Sequence, residues 1–190
     1  MTKILYLHGF ASSADSTKAK VIESFVKKNT SSTKILIPDL DNNITNAYGQ
    51  IEEIIKTESP SSIIGSSLGG FFGIYFAEKY DLLCVNINPA IPPIDMSEYL
   101  GENQNYSTGE KFVIDQDQLD WLSLMNKKIK NIKKHKNFMT LVQSGDEVLD
   151  YKLAIEYFSG TQIDVTFGGD HSFEGFESNI HKIQNFLNMH

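Results

Sequence analysis

The sequence is poor in features that would place it in several broad classes. It holds one cysteine, Cys84, so no disulfide can form within the chain, and a lone thiol in the apolar run Leu82-Leu83-Cys84-Val85 fits packing in a reducing compartment. Positive charge is in deficit: 17 basic against 24 acidic side chains leave a net charge of −7, which argues against nucleic acid as the principal partner. No apolar run approaches membrane-spanning length, and the start of the chain, with one lysine before the short segment Ile4 to Leu7, has neither a signal-peptide core nor a cleavage pattern. A cytoplasmic location is the expectation. There is no internal repeat and no low-complexity linker, so the 190 residues are expected to form one domain, 1–190. Gly65, Gly69, Gly70 and Gly73 match neither Gly-x-Gly-x-x-Gly nor the P-loop, and no lysine follows to reach a phosphate, which argues against a nucleotide-binding module.

What the chain does contain is Gly65-Ser66-Ser67-Leu68-Gly69, set between the apolar run Ser62-Ile63-Ile64 and the helix-like run Phe71 to Tyr80. Gly-x-Ser-x-Gly alone is common by chance; a strand before it and a helix after it make it a nucleophile turn. There the serine is held in strained backbone geometry, and small residues two positions either side let neighbouring segments approach. Ser67 is the candidate nucleophile, and the amide of Leu68, at the start of the following helix, is a candidate oxyanion donor.

A serine hydroxyl needs a base to take its proton and an acid to orient that base. Of five histidines, His171 follows Gly168-Gly169-Asp170 directly after the strand-like alternation Gln162 to Phe167, where open parallel sheets keep their chemistry. His8 ends the first strand before Gly9-Phe10 and is better suited to shaping an oxyanion loop than to acting as base. His135, His181 and His190 read as exposed or packing side chains. For the acid, the apolar run Phe138 to Gln143 is followed by Ser144-Gly145-Asp146-Glu147-Val148-Leu149-Asp150. Asp146, just past a glycine turn at a strand end, is the choice; Glu147 and Asp150 are rivals, Asp150 also being placed to cap a helix from Tyr151, and Asp170 is the weakest candidate. The chain order Ser67, Asp146, His171 is that of α/β-hydrolases, unlike the chymotrypsin or subtilisin order.

Strand runs at about 3–8, 33–38, 61–65, 82–88, 138–143 and 162–167 alternate with helical patterns at about 15–28, 44–57, 67–80, 150–158 and 175–188. The expected fold class is α/β: a compact α/β-hydrolase fold with a mostly parallel sheet of about six strands, helices on both faces and a short cap insertion. That insertion, at about 90–137, opens on Pro89, Pro92 and Pro93 and continues through a polar helix candidate. Lys127 to Lys136 contains six lysines, read as a solvated helix face in preference to a site for a phosphate-bearing substrate. Phe71, Phe72, Tyr75 and Phe76 read as helix packing. The opening run Ile4 to Leu7 ends at His8-Gly9-Phe10, and a His-Gly loop after an early strand contributes the second oxyanion amide in α/β-hydrolases, which makes the backbone N–H of Phe10 the second donor.

Leu7-His8-Gly9-Phe10 with Ser12-Ser13, Gly65 to Gly70, Asn88-Pro89-Ala90, Tyr99 to Asn103, Gly145 to Tyr151 and Gly168 to Phe173 together resemble the YqiA/YcfP-like family of small bacterial esterases, over nearly the whole chain. The resemblance implies a compact α/β-hydrolase fold, a cytoplasmic bacterial protein, activity on small-molecule acyl esters with thioesters as a further class, no metal and no organic cofactor. It carries Ser67, Asp146 and His171 over as the triad. One departure is Asn105 before Tyr106, where that family's cap segment has proline; it bears on substrate preference more than on catalysis. An amidase, a peptidase or an acyl-CoA thioesterase on the same scaffold, and a binding protein with a broken triad, are the alternatives, and oligomeric state is left open by the sequence.

Overall fold

The computed structural model describes residues 2–190. In chain order the elements are β1 (Thr2–Leu7), α1 (Thr17–Asn29), β2 (Thr33–Leu36), α2 (Ile44–Glu58), β3 (Ser62–Ser66), α3 (Leu68–Tyr80), β4 (Leu83–Ile87), β5 (Gly101–Gln104), β6 (Lys111–Ile114), α4 (Gln116–Lys128), β7 (Phe138–Gln143), α5 (Tyr151–Tyr157), β8 (Gln162–Thr166) and α6 (Ile180–Leu187). Six strands form one sheet in the order β2-β1-β3-β4-β7-β8, every neighbour parallel. Successive side chains of a strand point to opposite faces, so an apolar strand feeds two cores. On β1, Leu5 and Leu7 join one buried cluster with α2 and α3, while Ile4 and Tyr6 join the other with α1 and α6. The α/β-hydrolase expectation holds.

α3 is the helix whose burial positions the site. Residues Leu68 to Ala77 are all buried, on every side of the helix. Gly70 and Gly73 let it close onto the sheet: a Cβ on Gly70 would sit 2.7 Å from the Pro89 ring, and one on Gly73 would sit 3.0 Å from the Cys84 sulfur. Phe71, Phe72 and Phe76 are packed in the core as expected, each side chain contributing roughly 1.5–3 kcal/mol by its burial.

Three expectations need correction. The insertion carries a two-stranded antiparallel hairpin, β5 with β6, which the polar segment Glu102 to Lys111 did not suggest. Its turn is closed by Asn105, whose side chain accepts from the amides of Ser107 and Thr108 at 2.9 and 3.0 Å, with Gly109 at φ +76°. The six-lysine stretch is not one helix face. α4 stops at Lys128, and the remaining lysines lie on a connection that ends in a 3-10 turn at His135–Asn137. The expected last helix, 175–188, is a 3-10 turn at Phe176–Asn179, entered from Gly175 at φ +67°, followed by α6. Among the described residues no helix is long and apolar enough to cross a membrane.

Candidate active site

Ser67 is the junction between β3 and α3, at φ +54° and ψ −122°, a region that L-residues avoid. Its surroundings enforce the conformation. The Ser67 amide donates to the Ile87 carbonyl at 3.2 Å, and its own carbonyl accepts from Gly70 and Ala90 at 2.8 and 3.0 Å. The flanking glycines are needed for close approach: a Cβ on Gly65 would strike the Gly69 carbonyl, and one on Gly69 would strike the carbonyls at the end of β1, coming 2.6 Å from the His8 oxygen.

Two loops at the carboxyl ends of β7 and β8 bring the other candidates to this serine. His171 Nε2 lies 3.1 Å from Ser67 Oγ, and Nδ1 lies 2.8 and 3.0 Å from the two Asp146 oxygens. The aspartate side chain is 2% exposed and the histidine 23%, so the acid is sealed while the base faces the cavity. A carboxylate only accepts, so Nδ1 carries the ring proton and Nε2 is left free to accept from the serine hydroxyl. Asp146 Oδ1 is further fixed by the amides of Val148 and Leu149, at 2.9 and 2.8 Å. Of the rival acids, Glu147 accepts from the His171 backbone amide at 3.0 Å, and Asp150 caps α5 through the Lys152 amide at 2.9 Å. Asp170 is held through its backbone, its amide donating to the Gln143 side chain and its carbonyl accepting from Asn88.

Sequence reasoning missed the residues that hold the histidine loop. Asn88, 2% exposed and at φ +40°, donates from Nδ2 to the Asp170 carbonyl at 2.9 Å and to the His171 carbonyl at 3.3 Å, and accepts from the Gln143 amide at 2.9 Å. Gln143 accepts from the Asp170 amide at 3.0 Å and donates to the Glu174 carbonyl at 2.7 Å. The available signal was a polar residue closing each of two buried apolar strands.

The turn after β1 lies directly against the serine. A Cβ on Gly9 would sit 3.2 Å from Ser67 Cβ and 3.6 Å from its Oγ, so Phe10 follows within reach of the reacting group. Leu68 is the first residue of α3, and its amide has no acceptor within the helix. His8 is buried and accepts the Leu40 amide on Nε2 at 2.9 Å, which leaves the proton on Nδ1 to donate to the Gly9 carbonyl at 2.9 Å. Burial lowers its pKa, so His8 is a neutral brace for the loop. The hairpin tip is tied to the same loop: Tyr106 N–H donates to the Ala11 carbonyl at 2.9 Å, Asn105 to Ser12 at 2.9 Å, and the hydroxyls of Ser107 and Ser13 meet at 2.6 Å. The Phe10 ring packs on Tyr99 and Phe112. His135, His181 and His190 lie elsewhere, against Gly160, Phe25 and Ser32 respectively. Among the described residues, no group of three or more His, Cys, Asp or Glu side chains is gathered to hold a metal ion.

The fold has many solved counterparts. Est1E from Butyrivibrio proteoclasticus superposes with a TM-score of 0.69 at 11% identity, over 98% of this chain and 87% of that one. The esterase domain of a Rhodothermus marinus protein gives 0.67 at 16%, over 98% and 85%. One of the metagenome-derived lipolytic enzymes LipS and LipT gives 0.72 at 12%, over 100% and 94%. At such identities the likeness concerns the fold, an α/β-hydrolase fold, which is the fold expected from the sequence. The model of the uncharacterised protein family UPF0227 matches residues 3–188, so the chain belongs to that family, the YqiA/YcfP family to which its motif blocks pointed.

Proposed function

We propose that this protein is a serine esterase that cleaves small acyl esters, and thioesters by the same steps, through Ser67, His171 and Asp146. The observation that carries the reading is the continuous line from Ser67 Oγ through His171 to Asp146, with contacts of 3.1 and 2.8 Å, built on a serine in the strained strand-to-helix turn. Ser67 Oγ attacks the acyl carbonyl carbon while Nε2 of His171 takes the hydroxyl proton. The carbonyl oxygen gathers negative charge over the amides of Phe10 and Leu68, each such donor contributing about 3 kcal/mol to the transition state. His171 then gives the proton to the leaving alcohol or thiol as the C–O or C–S bond breaks. Water, deprotonated by the same nitrogen, attacks the acyl-serine and releases the acid. Asp146 stabilises the imidazolium in both steps. The chain acts as one domain, its insertion at 90–137 serves as a cap that narrows the acyl choice, and its lone cysteine suits a cytoplasmic setting.

A fluorophosphonate probe and a series of nitrophenyl esters, with matched thioester and anilide substrates, test this. Wild type is expected to label and turn over; Ser67→Ala loses both, and Asp146→Asn keeps its fold while kcat falls by about 10⁴. A folded wild type that neither labels nor hydrolyses any ester refutes the proposal, and unchanged turnover by Asp146→Asn transfers the acid's role to Glu147.

A further inference from the structure

The steps above use the backbone of Phe10 and leave the side chains at the mouth of the cavity without a task. The cavity, about 400 Å³, is lined by Ser67 and His171 and by two aromatic residues that reach solvent, Phe10 from the turn after β1 and Tyr106 from the tip of the β5–β6 hairpin. The third aromatic residue there, Tyr6, is fully buried and offers a guest nothing. Most of the remaining lining is glycine, alanine and serine. Among the described residues, no leucine, isoleucine, valine or methionine lines this cavity, so it has no aliphatic channel for a long alkyl chain.

Tyr106 is 84% exposed. One exposed ring on a surface needs no explanation, and Phe167, just past the end of β8, is as open. Tyr106 differs in being held at the mouth of the site. Its amide donates to the Ala11 carbonyl at 2.9 Å, which ties it to the residue next to Phe10. Asn105 before it is buried and donates to Ser12 and Asn42, and Ser107 after it meets Ser13. The main chain is therefore fixed on both sides, and the ring has only two side-chain torsions to lose on contact with a ligand. Burial first, then Glu98 and the Tyr106 phenol, raise the pKa of Tyr99, so the two phenols are within electrostatic reach of each other. Tyr99 packs on Phe10 with ring centroids 4.9 Å apart, and Phe10 meets Phe112 edge-on at 5.5 Å. These four residues make an aromatic cluster that runs from the insertion to the cavity, and its outermost member is left unpacked.

We infer that Tyr106 and Phe10 form a ring-binding subsite and that the substrates are esters carrying an aromatic group close to the scissile bond. The inference rests on the serine-esterase reading and names its substrate class. A flat ring entering the mouth covers Tyr106 and completes the cluster while the scissile carbonyl lies over the amides of Phe10 and Leu68. Offset-stacked and edge-to-face aromatic pairs gain more than the area they bury accounts for. An aliphatic ring of the same size buries the area and lacks that gain.

Two pairs of esters matched in ring size test it, each followed by proton release and each rate divided by that of the same ester in alkali. Benzyl acetate against cyclohexylmethyl acetate puts the ring on the alcohol; ethyl phenylacetate against ethyl cyclohexylacetate puts it on the acyl group. Cyclohexyl is the more apolar ring, so a merely apolar surface would favour it. In at least one pair the aromatic member is expected to have kcat/KM about 3 to 10 times that of its partner, and the preferred pair says which half of the ester lies on Tyr106. Tyr106→Phe should keep that ratio, and Tyr106→Leu, which keeps an apolar side chain, should bring it several-fold lower, with cooperative melts showing that both variants fold. Parity or aliphatic preference in both pairs, in a protein that labels with fluorophosphonate, overturns the subsite alone. So does a Tyr106→Leu variant that slows both members of a pair alike, since the residue would then only shape the tip. A wild type that neither labels nor turns over any ester overturns the esterase reading and the subsite with it.

Discussion

Replacing Asn88 by aspartate tests whether the histidine loop is positioned from β4. The substitution is nearly isosteric, tolerates the left-handed backbone that Asn88 occupies at φ +40°, and keeps the oxygen that accepts from the Gln143 amide. It removes the Nδ2 donor and sets a carboxylate oxygen against the carbonyls of Asp170 and His171, now bonded at 2.9 and 3.3 Å. Leaving a buried carbonyl without its donor costs about 1–3 kcal/mol. At about 2–4 °C per kcal/mol for a chain of this size, the melting temperature should fall by about 4–8 °C for a 2 kcal/mol loss. The catalytic consequence is larger than the stability change suggests, because displacing a reacting group by about 1 Å costs about 10²-fold in rate. Steady-state hydrolysis of nitrophenyl butyrate well below the melting temperature should show kcat reduced about 10- to 100-fold with KM nearly unchanged. The labelling rate with fluorophosphonate should fall in parallel. A variant that melts several degrees lower but keeps wild-type kcat would show that Asn88 supports the fold and does not position His171.

Three further outcomes follow from the same geometry. Gly69→Ala should abolish soluble, folded protein or cost more than about 3 kcal/mol, since the new Cβ meets the Leu7 and His8 carbonyls, which are backbone and cannot swing aside; a wild-type melting temperature contradicts this. Lys79 and then Lys56 hold the Glu52 carboxyl at about 2 against an ordinary 4.5. That depressed value means stabilisation present above pH 4.5 and lost as pH falls towards 2, about 1 kcal/mol after solvent screening, so Glu52→Gln should melt about 2–4 °C lower at pH 7, with the gap closing on acidification; a gap independent of pH refutes it. The Cys84 thiol is fully buried and pushed well above its ordinary pKa, so a thiol reagent should leave the native protein unmodified and react on unfolding; rapid native labelling counts against this packing.

The strands and the main helices were legible because each is coded locally: β1, β3, β4 and β7 are apolar runs buried on both faces, and Gly65 and Gly69 announce a close approach that only glycine permits. The positions of His171 and Asp146 were legible for the same reason, each lying just past a strand. The β5–β6 hairpin was not, since Glu102, Asn103 and Gln104 have little preference for strands and are held there by cross-strand pairing and by Asn105, whose Nδ2 reaches Ser12 and Asn42 far away in the chain. The roles of Asn88, Gln143 and Glu147 depend on hydrogen bonds spanning 24 to 83 residues, and no local pattern encodes a partner that distant.

The bonds between the hairpin tip and Ala11, Ser12 and Ser13 make the hairpin and the loop that carries Phe10 one mechanical piece. In a hydrolase with a detached lid, entry can be widened or narrowed while the reacting groups stay where they are. Here any change at Asn105, Tyr106 or Ser107 that admits a different guest also pulls on the backbone leading to Phe10. Under the proposed function, selectivity and turnover would be inherited together, and a lineage that explored new substrates through this tip would have to re-establish its oxyanion alignment at each step.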